Sequence, residues 1–195
     1  MIPVAAALLV ATLLLLPSTY GQGLGDFIRA LLGGGASASA RSPLLANGST
    51  APDFTAMRTD NTTVKLSDFH GKVVLVDFWS TWCGPCKAAM PHLEKVQQRL
   101  KDQGLVVLGV CGWDDRANFD NWSKQPGVPT SYLKVFDPAG KNTADSIAKK
   151  LYLVSGIPTF YLIDKDGKVL FSAVGSGQAS EDELDGALAA AGFKQ

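Results

Sequence analysis

Two apolar stretches dominate the hydropathy pattern: Val73-Val74-Leu75-Val76-Asp77-Phe78-Trp79, interrupted only by Asp77, and Leu105 to Val110. Runs of this length without alternation read as strands buried on both faces of a sheet. Shorter elements surround them. Asp60-Asn61 lies between two short extended runs and predicts an N-terminal hairpin closing at Val64-Lys65-Leu66. A helical pattern covers about 86–102, with Pro91 expected to kink it and Gly104 to end it. Asp114-Asp115 is suited to cap a helix carrying Phe119 and Trp122. A strand over Ser131–Phe136 and a helix near 143–152 follow. Asp164-Lys165-Asp166-Gly167 then separates strands at Thr159–Ile163 and Lys168–Val174, a hairpin signal, and a helix from Glu181 to Ala191 closes the chain. Strands alternating with helices predict one α/β domain over 51–195, its mixed sheet covered on both faces.

The N-terminal part is patterned differently. Ile2 to Leu16 holds no charge and falls short of the roughly 20 residues a spanning helix needs. With Pro17 to Gly21 behind it, residues 1–21 read as a signal peptide, or alternatively as a retained N-terminal anchor tethering the protein through residues 2–16. No Lys or Arg precedes the apolar run, and no cysteine precedes Cys83, which excludes a lipid-modified N-terminal cysteine. Residues 22–50, rich in Gly, Ala and Ser, read as a linker. Export is therefore expected, to the periplasm or the outer face of the cytoplasmic membrane.

Composition narrows the function. The 195 residues carry a formal net charge of zero and no dense basic block, so nucleic acid binding has no electrostatic support. Of three cysteines, two lie in Trp82-Cys83-Gly84-Pro85-Cys86, where the first long strand turns into a helix. That placement puts the first sulfur at a helix N-terminus, whose partial positive charge favours thiolate. The second sulfur lies one turn on, within reach for a reversible disulfide. C-x-x-C beside a βαβ pattern is a redox signature. A structural disulfide and half of a zinc site are the alternatives; zinc would need a second pair, and only Cys111, His70 and His92 are available at irregular spacing. Cys111 at the end of the second apolar strand reads as a small apolar filler.

Several segments in order resemble the thioredoxin superfamily, and within it the exported TlpA/ResA-like thiol–disulfide oxidoreductases. They are Ala51-Pro52-Asp53-Phe54, Leu66-Ser67-Asp68-Phe69, Gly71-Lys72, Phe78-Trp79, the Cys83–Cys86 motif, Gly156-Ile157-Pro158-Thr159 and Ile163-Asp164. The resemblance implies a thioredoxin-like fold with an N-terminal β-hairpin and a TlpA-type helix/strand insertion before Gly156. It implies that Cys83 is the exposed nucleophile and Cys86 the more buried resolving thiol. Asp77 matches a buried carboxylate beneath the second cysteine, expected to have a raised pKa and to take a proton from Cys86. Ile157-Pro158 matches a cis-proline loop that pairs with substrate, although Gly127-Val128-Pro129-Thr130 is a near copy. Trp82, Gly84, Pro85 and Gly175 complete the implied substrate surface. No metal and no cofactor beyond the Cys83–Cys86 disulfide are expected. The implied partners are disulfide-containing client proteins, with cytochrome c maturation as one destination, and an upstream thiol electron donor.

Three departures stand out, one being that TlpA-like proteins often have asparagine where this chain has Asp77. Ala89 occupies the place where TlpA-like proteins carry a glutamate. Thioredoxin also places a lysine on the strand beside its buried aspartate, whereas Leu105 to Trp113 contains none. The competing functions are a peroxiredoxin-like peroxidase, for which neither Cys83 nor Cys86 has the P-x-x-x-T-x-x-C context, and a non-catalytic tethered binding or metal-carrier module.

Overall fold

The computed structural model describes residues 44–129 and 131–194. The expected leader or anchor over 1–21 and most of the expected linker over 22–50 lie outside the described residues. The stretch 44–50 belongs to the folded domain rather than to a linker. Leu44 and Leu45 pack on the core, and Leu45 donates its N–H to the Tyr161 hydroxyl at 3.2 Å. Gly48 N–H donates to Val169 O at 2.7 Å, Val169 N–H to Ser49 O at 2.9 Å, and Thr50 bridges to Lys168. The apolar pair Leu44-Leu45 outweighs the Gly/Ser character around it.

Among the described residues seven strands form one sheet: β1 (Thr55–Met57), β2 (Thr63–Lys65), β3 (Val73–Trp79), β4 (Leu105–Cys111), β5 (Leu133–Phe136), β6 (Thr159–Ile163) and β7 (Val169–Val174). Their spatial order is β2-β1-β5-β4-β3-β6-β7. β3, β4 and β5 run parallel at the centre, while β1 joins β5, and β6 joins β3, antiparallel. The two apolar runs are the central pair, buried on both sides as their composition requires. The N-terminal hairpin enters the sheet through β5, and Asn61 takes its turn in the left-handed region at φ 66°.

Among the described residues three helices cover the sheet: α1 (Gly84–Leu100), α2 (Arg116–Ser123) and α3 (Gln178–Ala190). Val73 and Leu75 pack with Ala89, Leu93 and Val96 of α1 and Leu184 and Leu188 of α3. Val74, Val76 and Phe78 face the other way, against Phe54, Tyr152 and Tyr161. α1 runs continuously through Pro91 and is followed by a 3-10 turn that ends at Gly104, whose φ of 92° suits glycine. The helix expected near 143–152 is reduced to a five-residue π-helical turn, Ile147–Leu151. Local polar bonds explain the shortening: Asp137 accepts from Ile147 N–H at 2.7 Å, and Ser146 Oγ accepts from Lys149 N–H at 3.2 Å. These hold residues 143–146 outside helical geometry.

Candidate active site

The dithiol motif sits where β3 hands over to α1. Cys83 is the N-cap of α1, its sulfur accepting the Cys86 N–H at 3.1 Å, and Gly84-Pro85 opens the first turn. Proline there loses no helical hydrogen bond, because first-turn N–H groups have no intrahelical acceptor. Cys83 and Cys86 are joined by a disulfide with Cα atoms 5.3 Å apart. Both are enclosed, with Cys83 4% and Cys86 1% exposed. The expected order holds, but the openness expected of Cys83 does not. The backbone carbonyl of Ile157 lies 3.9 Å from its sulfur, and Trp79, Met90, Trp122 and Ile157 close around the pair.

The Ile157–Pro158 bond is cis, and it is the cis bond among the described residues, so Pro129 is a decoy. Gly175 N–H donates to Pro158 O at 2.9 Å. With φ 110°, Gly175 adopts a conformation that a side chain would oppose, so the end of β7 can lie against the proline loop. Cys83, Cys86, Ile157, Pro158 and Gly175 therefore meet at one sheet edge. Trp82 stands beside them, strongly exposed.

Asp77 lies deeper. The two-residue period of β3 puts it on the same face as Val73 and Leu75, under α1. It is buried, and neither carboxylate oxygen has a hydrogen-bond partner among the described residues. Burial pushes its pKa from 3.8 up to about 8, with the charge of Lys134 pulling the other way.

Lys134 is the residue that sequence reasoning missed. The lysine sought on β4 is absent, because Gly109 occupies the position opposite Asp77. The next strand supplies one: Gly109 pairs in turn with Lys134 of β5. A Cβ on Gly109 would meet Trp79 Nε1 at 3.1 Å, a Tyr132 ring carbon at 3.3 Å and Lys134 Cγ at 3.5 Å. Glycine at this point keeps the space in which these three side chains meet. Lys134 Nζ lies 3.8 Å from the centre of the Tyr132 ring and donates to the carbonyls of Pro129 and Tyr132. Burial draws its pKa down to about 8, opposed by the charges of Glu94 and Asp77. Only the register of two successive strand pairs reveals this row.

Cys111 is fully buried next to Trp79 and Phe136, as its filler reading requires, and burial raises its thiol pKa. No cluster of three or more His, Cys, Asp or Glu able to hold a metal occurs among the described residues.

A reversible disulfide at a helix N-terminus, faced by a cis-proline loop on a thioredoxin-like sheet, defines a thiol–disulfide oxidoreductase. The Redoxin family model matches residues 46–188. The thiol-disulfide oxidoreductase ResA of Bacillus subtilis is 33% identical over 132 residues, covering 68% of this chain and 69% of the relative. A Chlorobium tepidum protein assigned as thiol:disulfide interchange protein DsbE has a crystal structure that matches with TM-score 0.65 and 37% identity, over 75% of this chain and 98% of its own. The exposed lipoprotein thioredoxin Etrx1 of Streptococcus pneumoniae matches with TM-score 0.59 and 30% identity, over 71% and 99%. The chain belongs to the Redoxin family and is a TlpA/ResA-like member of the thioredoxin superfamily.

Proposed function

We propose that this protein is an exported reductant of protein disulfides. The observation that carries the reading is the Gly-Pro pair between the cysteines together with a buried carboxylate in place beneath α1. No histidine lies between the cysteines to stabilise the first thiolate. This favours a potential near thioredoxin's roughly −270 mV over the roughly −120 mV of DsbA. Export is supported by the apolar run Ile2 to Leu16 and by the likeness to an exposed lipoprotein thioredoxin. Domain limits of 1–21 for the leader or anchor and a short linker ahead of residue 44 fit this reading.

In the reduced enzyme, the Cys83 thiolate attacks one sulfur of a client disulfide. A Cys83–client mixed disulfide forms, and the other client sulfur leaves as a thiolate that takes up a proton. Asp77, ionised, accepts the proton of Cys86. Its pKa of about 8 lies close to that of a thiol, so the transfer is nearly balanced. The Cys86 thiolate then attacks the Cys83 sulfur, closing the Cys83–Cys86 disulfide and releasing the second client thiol. Two electrons have passed to the client, and an upstream thiol donor restores the dithiol. The disulfide is itself the redox group, and no other cofactor enters. Ile157 and Gly175 hold the client's backbone beside Pro158. Apocytochromes with haem-attachment cysteines are one client class that fits an exported reductant.

Equilibration against defined dithiothreitol buffers, read by thiol alkylation, tests the direction. A potential near or below thioredoxin's is expected; one near DsbA's overturns the assignment as reductant. Cys86→Ser should accumulate a mixed disulfide with an oxidised client. A variant that traps nothing would refute the two-cysteine mechanism.

A further inference from the structure

Trp82 is 60% exposed, the most exposed of the large apolar side chains among the described residues. Its single polar atom is already engaged: Nε1 donates to Trp113 O at 3.0 Å. A pinned indole offers a rigid apolar face that loses little entropy on contact with another chain.

The pinning comes from the corner that follows β4. Gly112 N–H donates to Trp79 O at 3.0 Å, and Ser80 Oγ donates to Gly112 O. Thr81 donates both its backbone N–H, at 2.8 Å, and its hydroxyl, at 2.6 Å, to one oxygen of Asp114. The other oxygen of Asp114 accepts Asp115 N–H at 2.8 Å and Asn118 Nδ2 at 3.1 Å. With the Cys111 thiol, whose sulfur lies 3.9 Å from the oxygen that Thr81 also binds, five donors converge on one buried carboxylate, an arrangement only the ionised form can fully satisfy. Burial alone would raise the pKa of Asp114, but the Thr81 and Asn118 donors outweigh it and hold the group below the usual carboxylate range. Trp113 takes φ 57°, a conformation uncommon for a bulky residue, while its own Nε1 donates to Ser146 Oγ at 2.9 Å. The corner is thus tied on one side to the Ser80–Trp82 turn and on the other to α2 and Ser146.

We propose that Asp114 is the positioning residue for client docking: through Thr81 it fixes the Trp82 ring as the platform on which the client chain beside its disulfide lies. The occupant is the polypeptide flanking the client's disulfide. Cys83 follows Trp82 directly and is itself enclosed, so a sulfur that reaches it brings its flanking chain against that ring. The inference rests on the reading of Cys83 as the attacking thiol. It adds a group outside the motif that acts on client affinity rather than on the chemical step.

The test is steady-state reduction of insulin disulfides by the full chain, with dithiothreitol as electron donor, giving KM and kcat separately. Asp114→Asn puts an N–H₂ group where acceptors are needed. It is expected to raise KM about tenfold with kcat within twofold of wild type. Thr81→Val, which loses one of the two donors, should raise KM about threefold, and Thr81→Ser, which keeps both, should restore it. An equal loss in kcat at unchanged KM would assign Asp114 to thiol chemistry and overturn the proposal. Unchanged KM in both Asp114→Asn and Thr81→Val overturns it as well. Should Asp114→Asn not fold, by far-UV circular dichroism, the Thr81→Val and Thr81→Ser pair decides alone. A wild-type chain that leaves insulin intact sinks the reductant reading, and this inference with it. Normal wild-type turnover with unaltered variants sinks this inference alone.

Discussion

Two buried carboxylates flank the dithiol turn and behave in opposite ways. Asp77, beneath α1, and Asp114, at the corner after β4, are each 1% exposed. Asp77 has no hydrogen-bond donor among the described residues and is driven up to about 8. Asp114 receives N–H donors on both oxygens and the Thr81 hydroxyl on one of them, and is held below the ordinary range. Burial pushes both acids upward, Asp77 the more strongly because it lies deeper, and on Asp114 the donors reverse the sign. One acid is left bare and can exchange a proton near neutral pH, whereas the other stays charged and serves as a fixed brace.

The most severe break of this contrast is Asp77→Asn. Without a proton acceptor, resolution of the mixed disulfide by Cys86 should slow about a hundredfold, measured by rapid-quench alkylation. The same variant should become increasingly stable relative to wild type as pH rises. Folded Asp77 keeps a proton up to about pH 8 that the unfolded chain releases near 4. Wild-type stability from this group is therefore complete below pH 4 and lost as pH climbs through 8. The melting-temperature advantage of Asp77→Asn should be near zero at pH 4 and largest above 8.

Closing the space around the bare acid is the next largest change. Gly109→Val would drive a side chain against Trp79 Nε1 and Tyr132, costing about 2 kcal/mol in urea unfolding. Lys134→Met keeps the bulk but removes the charge that pulls Asp77 downward. The midpoint of the pH profile for mixed-disulfide resolution should move up by about one unit. The smallest effect is expected on the braced side. Thr81→Val deletes one hydroxyl donor to Asp114 and should cost about 1 kcal/mol in the same urea assay, with the pH profile unmoved.

What was legible in the sequence was what the chain writes locally. Cys83, Cys86 and Pro91 lie on one helix, and Asp77 lies within a strand whose apolar neighbours announce its burial. Pro158 was separable from Pro129 because the C-terminal hairpin follows it directly. Lys134 was not legible, because its relation to Asp77 passes through Gly109 and depends on two strand registers. Asp114 read as a helix cap, the usual role of an aspartate before a helix. Asp115 is the N-cap, and Asp114 turns instead to Thr81, a partner 33 positions earlier. The 143–152 helix failed for a related reason, since Asp137 and Ser146 offer the backbone polar partners that compete with helical turns.

The segment 44–50 has a practical consequence. It is laced to Val169 at the start of β7, and β7 runs parallel to β3 through the antiparallel β6 between them. The described chain therefore enters at the end of the sheet remote from Cys83. A handle attached ahead of residue 44 joins the domain away from the dithiol edge, so the protein can be immobilised there with its reactive sulfurs unobstructed. Trimming to residue 51 would instead strip the lacing from β7 and expose backbone N–H and C=O groups of an edge strand to pairing with other chains.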